Sequence, residues 1–255
     1  MYADYLLASF GATTATGLSQ LLEREISHDQ VTRYLAGTKK TAVDLWLPVK
    51  AFVRQVQSAE GVLIIDDSIE EKPYIDENDM VCWQYDHAKD RLLKGLNFLT
   101  ALYVSHGVRL PVGFPLVAKT EQYQDPQTQK EKRRSPVSKH EACRELITPA
   151  LTNRLPFRFV LCEVWVASAE NRVFIKQHHH HDFSCPRKTN RKVALSRVDK
   201  QEGRYLRGDT LELEAPSTRE VYLEGGDFPL VLVKQVFTNA DSSCGIRSRV
   251  SSDTP

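Results

Sequence analysis

Apolar residues in the first part of the chain recur at the spacing of a helix. They do so between Ile26 and Leu35, and Gly37 follows at a position that typically ends a helix. A further amphipathic helix is predicted over 43–56. Residues 1–58 are therefore expected to form a helical domain.

Within that domain, a short helix, a tight break and a second helix fit two interpretations. One is a helix-turn-helix, whose second helix would present Gln30, Thr32 and Arg33 to DNA. The other is a plain helical hairpin with no nucleic-acid role. The residues alone do not decide between them.

The pattern changes at Gly61. Residues 62–65 form a continuous apolar run rich in β-branched side chains, which predicts a strand buried on both faces. Polar composition predicts loops over 73–90 and 122–139. The further predicted elements are a strand hairpin over 95–104 and 108–119, a helix over 138–154, a strand over 157–162, a helix over 168–177, and mostly strands after Asp182, the clearest over 228–238.

Two of the predicted strands end in acidic residues. Asp66 and Asp67 follow the first strand, and Glu163 follows the strand over 157–162. If these strands are parallel neighbours in one sheet, their carboxyl ends converge and place the carboxylates where they suit Mg²⁺. This layout predicts an α/β fold with a ribonuclease-H-like mixed sheet, an N-terminal helical domain and a β-rich C-terminal insertion.

The charges are balanced overall but unevenly distributed. The 255 residues include 34 Lys and Arg against 33 Asp and Glu, which does not by itself indicate a nucleic-acid-binding protein. Residues 60–90, however, hold ten acidic and two basic side chains, and residues 172–207 hold ten basic and three acidic ones. The basic stretch suits a polyanion such as a phosphate backbone, although solvated surfaces account for both stretches equally well.

The five cysteines are scattered and include no CxxC pair. This pattern favours neither a disulfide framework nor a zinc knuckle, and it fits a reducing cytoplasm. No signal peptide and no membrane-spanning segment are predicted.

Several stretches resemble the DDE-type insertion-sequence transposases of bacteria. They are IIDDSIEEKPY (64–74), DMVCWQYDH (79–87), KGLNFLTALY (94–103), WVASAEN (165–171), TNRKVAL (189–195) and QVFTN (235–239). The first three are specific in combination, and together the stretches extend over nearly the whole chain.

This resemblance implies a helical DNA-binding domain over 1–58, a catalytic core over 59–188 and a β-rich insertion over 189–255. It also implies DNA partners, namely element ends and target DNA, with a homodimer and a cytoplasmic, nucleoid-associated location as further expectations. The family chemistry is Mg²⁺-dependent DNA strand cleavage and transfer, with three carboxylates that hold two ions.

The resemblance also assigns the catalytic candidates. The first aspartate of the family corresponds to the Asp66–Asp67 pair, and Asp67 is favoured because Ser68 supplies the hydroxyl residue that normally follows it. Asp66 is then expected to cap the strand end. Glu163 stands where the family has an aspartate, and its extra methylene shifts the carboxylate by roughly 1.5 Å. The expected metal ligands are Asp67 and Glu163.

The third carboxylate of the family lies on a helix in a segment with Tyr, Arg, Glu and Lys, which we do not find here. Glu170 and Asp253 are the substitutes considered. The expectation is a copy truncated before the third carboxylate and without transposition activity. The alternatives are a non-catalytic DNA-binding remnant that competes for element ends, and another ribonuclease-H-like nuclease.

Within the basic stretch, five residues are the expected contacts to DNA phosphates, because Lys and Arg supply most of the sequence-independent affinity. These are Arg187, Lys188, Asn190, Arg191 and Lys192.

Overall fold

A computed structural model describes most of the chain, which divides into two compact units, residues 1–44 and 45–255. The described residues are 2–11, 13–37, 41–86, 89–187, 191–208, 210–211, 217–238 and 244–253. Lys188 and Asn190 from the predicted phosphate contacts lie outside this set.

Three helices make up most of the first unit: α1 (Tyr2–Ala8), α2 (Ala15–Leu21) and α3 (His28–Ala36). The Ser27 hydroxyl accepts a hydrogen bond from the Gln30 backbone N–H, and the Gln30 side chain accepts one from the Ser27 N–H. This capping box starts α3, and Gly37 ends it, as the sequence predicts.

The second unit combines one large mixed sheet with helices. Its elements are α4 (Ala42–Val56, which begins just before the unit boundary), β1 (Val62–Glu71), β2 (Val81–Asp86), β3 (Arg91–Ser105), β4 (Val108–Gly113), β5 (Glu121–Gln124), β6 (Glu131–Arg134), α5 (Lys139–Thr152), β7 (Phe159–Cys162), α6 (Ala169–Val173) followed by a π-helical turn (Phe174–His178), β8 (Asp182–Pro186), β9 (Lys192–Val193), α7 (Arg197–Gln201), β10 (Leu206–Arg207), β11 (Ser217–Val221), β12 (Leu230–Thr238) and β13 (Cys244–Ser251).

Strand β1 lies in the middle of the large sheet, whose order is β11-β12-β13-β8-β7-β1-β3-β2 with β4 also paired to β3. It runs antiparallel to β3 and parallel to β7, with Val62 opposite Phe159 and Ile65 opposite Cys162. Strand β8 continues parallel to β7. The predicted parallel pairing of these two strands is confirmed, and with it the mixed α/β sheet expected of a ribonuclease-H-like domain. Strand β1, however, continues to Glu71, so Asp66 and Asp67 lie within the strand and not after its end.

The β-rich end of the chain extends this same sheet. Strand β13 pairs antiparallel with β8, and β12 and β11 follow outward. The hydrogen bonds between β8 and β13 therefore join the predicted catalytic core (59–188) to the predicted insertion (189–255) in one sheet.

The two predicted loops are wrong in part, although residues 73–80 and 125–130 do lie outside helices and strands. Residues 73–90 contain β2, which pairs with β3, because Val81, Cys82 and Gln84 are buried while acidic neighbours obscure the pattern. Residues 122–139 contain the β5–β6 hairpin and the start of α5.

Two smaller differences concern element bounds. Strand β4 ends at Gly113, well before residue 119, and α7 was not predicted. Proline at 115 has no N–H for a sheet hydrogen bond, which fits the early end of β4.

Helix α5 supplies much of the core and sets up the site described below. Its buried Cys143, Leu146 and Ile147 belong to the same apolar cluster as Leu63 and Ile65 of β1. The Ser138 hydroxyl and the Glu141 side chain form a capping box at its start, so the backbone of the first turn is fixed. No helix in the described ranges is long and apolar enough to cross a membrane.

Candidate metal centre

The first two carboxylates come from the middle of β1, just past the point where its parallel pairing with β7 ends. Leu63 and Ile65 are buried, and strand alternation puts Asp67 on their face and Asp66 on the other. The Asp66 carboxylate accepts a hydrogen bond from the Asp67 backbone N–H at 2.9 Å. Asp66 does not cap the end of the strand as expected, because β1 continues to Glu71.

The remaining carboxylate at this place comes from Glu163, the first residue after β7. Because Ile65 lies opposite Cys162, the next residues along the two parallel strands are Asp66 and Glu163. One carboxylate oxygen each from Asp66, Asp67 and Glu163 lies within 4.8 Å of the other two. The expected convergence of these side chains is therefore present in the geometry, and we call the three residues the carboxylate cluster.

The carboxylate cluster opens into a pocket of about 180 Å³. The pocket is also lined by Ile69, by the half-exposed aromatic rings of Tyr85 and Trp165, and by Asp86. A polar floor with aromatic walls offers oxygen ligands to a cation and flat apolar faces to a nucleobase.

The negative charges in the cluster disfavour one another. Partial burial raises the pKa of Glu163 above its ordinary value, and the neighbouring charges of Asp66 and Asp67 raise it further. The ammonium of Lys139, in the first turn of α5, forms an ion pair with Asp67 and acts in the opposite direction on Glu163. A cation bound among these oxygens would relieve the remaining repulsion.

The donor set fits a hard divalent cation. Mg²⁺ takes oxygen ligands at about 2.1 Å in an octahedron, so two of its ligand atoms lie about 3 Å apart when adjacent and about 4.2 Å apart when opposite. The 4.8 Å limit on the cluster exceeds the larger value by less than 1 Å, which side-chain rotation can supply. The carboxylate cluster as a whole offers oxygen ligands to such an ion.

The two substitute ligands do not join the cluster. Glu170 is exposed and lies 3.8 Å from the guanidinium of Arg144. Asp253 pairs with Arg158 at 3.0 Å. Across the described part of the chain, no helix contributes a carboxylate to the cluster.

Sequence reasoning missed four residues around the pocket: Tyr85, Asp86, Lys139 and Trp165. Tyr85 and Asp86 were assigned to a loop, because the acidic residues around β2 obscured its strand pattern. The contact between Lys139 and Asp67 joins residues 72 positions apart, and no local pattern announces it.

The predicted phosphate contacts differ in exposure. Arg187 is only 8% exposed, and its guanidinium donates a hydrogen bond to the Arg191 carbonyl at 2.8 Å. Its burial makes it a structural link rather than a surface contact. Arg191 and Lys192 are exposed.

The three residues expected to contact DNA from the first unit are exposed on α3. Gln30 belongs to the capping box, the Thr32 hydroxyl donates to the His28 carbonyl at 2.9 Å, and the Arg33 guanidinium donates to the Asp29 carbonyl. These local bonds stabilise α3, so the presence of the three polar residues has a structural explanation that requires no contact with DNA.

Comparison with known proteins identifies the family. A search among curated proteins found no similar sequence. The family model for DDE superfamily endonucleases matches residues 1–174, a span that includes the whole carboxylate cluster and supports the resemblance to DDE-type transposases. Because the match extends over more than half of the chain, this protein belongs to the DDE superfamily of endonucleases.

Proposed function

We propose that the protein is a transposase-like nuclease whose carboxylate cluster binds a divalent cation and acts on DNA phosphodiester bonds. The observation that carries this proposal is the meeting of Asp66, Asp67 and Glu163 just past the parallel pairing of β1 with β7. Membership in an endonuclease family gives that cluster its chemical context.

Each carboxylate has a proposed role. Asp67 and Glu163 are the metal ligands, with Mg²⁺ as the ion, and Asp66 accepts a hydrogen bond from the Asp67 backbone N–H beside them. A bound divalent cation supplies activation of the attacking oxygen and stabilises charge on the leaving oxygen. The chain itself positions the ligands and shapes the pocket.

The DNA partner is proposed from the surroundings of the cluster. Tyr85 and Trp165 offer rings on which an unpaired base can stack, and Arg191 and Lys192 offer exposed charges to phosphates. Element ends and target DNA are the proposed substrates, and α3 with Gln30 is a second candidate DNA contact. A homodimer is part of the same proposal.

We further infer that strand transfer by this chain is weak or absent. Two of the three clustered carboxylates are adjacent on one strand, and no helix in the described residues adds another. Two metal ions that stabilise the attacking and leaving oxygens need more carboxylate ligands than these three residues supply. This observation favours the second candidate function, a DNA-binding protein that competes for element ends.

Metal binding tests the proposal directly. Calorimetric titration with Mn²⁺ should show one binding site in the wild-type protein, and D67N or E163Q should weaken it at least tenfold. The matched control is E170Q, which removes a glutamate charge outside the cluster and should leave Mn²⁺ binding unchanged. Equal Mn²⁺ affinity in all four proteins would contradict the proposed ligands.

A cleavage assay separates the two candidate functions. Wild-type protein is incubated with element-end DNA and Mg²⁺ or Mn²⁺, and DNA binding is measured in parallel. Retained binding with no strand transfer supports the competing DNA-binding protein. Strand transfer that D67N abolishes would instead establish an active nuclease and overturn the inferred loss.

A further inference from the structure

Three carboxylates that converge on one point need a compensating positive charge. The ammonium of Lys139 contacts Oδ2 of Asp67, whose side chain is only 18% exposed. Lys139 also opposes the rise in the pKa of Glu163. Within the described ranges, Lys139 is the one basic residue that an ion pair joins to the carboxylate cluster.

The position of this ammonium follows from the start of α5. Ser138 caps the helix, and Glu141 closes the capping box, so Lys139 leaves a fixed backbone. The nearby Lys119 is committed elsewhere, because its ammonium donates to the Trp83 carbonyl at 2.8 Å. Lys119 is also half-buried, and its pKa is lowered by burial and then by Lys139.

We propose that Lys139 is the internal counter-ion of this site, which holds Asp67 in the metal-free protein and competes with the divalent cation for the same carboxylate. The competition rests on the proposed function, because it requires that the cluster bind metal. The counter-ion role in the metal-free protein does not.

The competition follows from charge and distance. An ion bound to Asp67 at about 2.1 Å would lie within a few ångströms of an ammonium on the same carboxylate, where like charges repel strongly. The lysine stem is flexible and its side chain is 38% exposed, so the ammonium has room to move away. Metal binding therefore displaces Lys139 from Asp67 and loses part of its affinity in doing so.

The direction of this effect separates a counter-ion from a residue that merely orients Asp67. Removing a competitor strengthens metal binding, whereas removing an orienting partner weakens it. We expect K139M to lower the Kd for Mn²⁺ about tenfold, the change expected from about 1.4 kcal/mol of relieved repulsion. K139R retains the charge and should bind Mn²⁺ like the wild-type protein.

The chain offers a matched control in Lys176 and Asp182. Their ion pair measures 2.5 Å, with side-chain exposures of 32% and 18% against 38% and 18% for Lys139 and Asp67. K176M should therefore have a comparable cost in stability and no effect on Mn²⁺ affinity. K139Q repeats the measurement in case the methionine disturbs the fold.

One titration and one set of unfolding measurements test the proposal. Mn²⁺ is titrated into each full-length variant without DNA, and thermal unfolding is followed in EDTA for K139M, D67N and the double variant. We expect tighter Mn²⁺ binding only in K139M and K139Q. We also expect K139M to lower Tm less in the D67N background than in the wild-type protein, because the paired charge is already gone.

The outcomes distinguish the two proposals. Wild-type Mn²⁺ binding that K139M weakens or leaves unchanged overturns the counter-ion and leaves the proposed function intact. No Mn²⁺ binding by the wild-type protein overturns the proposed function, while coupling between positions 139 and 67 in EDTA still supports the counter-ion. Additive Tm changes in the cycle overturn the counter-ion on their own.

Discussion

Replacing Glu163 by glutamine is expected to stabilise the metal-free protein at neutral pH, although it removes a proposed ligand. Two unit charges 4.8 Å apart repel by about 0.9 kcal/mol with water-like screening and by about 3.5 kcal/mol at an effective dielectric constant of 20. Because Asp66 and Glu163 are exposed, the lower value applies. Glu163 is repelled by both aspartates, which together contribute about 1.7 kcal/mol. After the lost attraction to Lys139, we expect a net gain of about 1 kcal/mol, or roughly 2–4 °C in Tm.

The pH dependence gives this prediction its sign. Burial and the neighbouring aspartates raise the pKa of Glu163 in the folded protein. The protonated carboxyl therefore favours the fold at low pH, and this contribution is lost as the pH rises through the folded-state pKa. Glutamine cannot ionise, so E163Q should match the wild-type protein below the unfolded-state pKa and exceed it in stability at pH 7.

Thermal unfolding in EDTA at pH 7 and at about pH 3.5, below the ordinary pKa of glutamate, measures both effects. Saturating Mg²⁺ should then reverse the order at pH 7, because the wild-type protein binds the ion more tightly than E163Q and gains more stability from it. Lower stability of E163Q in EDTA at pH 7 would refute the repulsion argument. So would a gain in Tm that persists unchanged at low pH.

Three further predictions concern DNA contacts and the central strand. W165A should weaken binding of single-stranded DNA by about tenfold while W165F retains it, as measured by fluorescence anisotropy, because stacking on a ring is worth about 1–3 kcal/mol per base; equal loss in both would exclude stacking. Charge reversal at Arg191 and Lys192 should lower the slope of DNA affinity against salt by about one unit per lost contact, and an unchanged slope would exclude this surface. G95A should destabilise the sheet by about 1–3 kcal/mol in urea unfolding, because its Cβ would meet the Glu70 carbonyl of β1; a wild-type midpoint would contradict that contact.

The sequence predicted the part of the site in which acidic residues directly follow an apolar run. Two apolar runs that each end in acid were enough to pair β1 with β7 and to bring Asp67 and Glu163 together. The order of elements around them was enough for the fold class. Both inferences depend on local patterns whose consequence in a parallel sheet is fixed by geometry.

The parts that were missed depend on long-range packing. Strand β2 is short, lies among acidic residues and exposes its aromatic residues Trp83 and Tyr85, so the packing of β2 on β3 and not its own pattern defines it. Arg187 was expected at the surface, as most arginines are, yet the fold buries it against the Arg191 carbonyl. The contact of Lys139 with Asp67 arises only when α5 packs on the sheet.

Diffraction from crystals soaked in Mn²⁺ tests the central claim most directly. The account predicts an anomalous peak within about 2.3 Å of carboxylate oxygens of Asp67 and Glu163, with the Lys139 ammonium moved off Asp67. A saturating soak that leaves the carboxylate cluster without a peak, or that places manganese elsewhere, would contradict it.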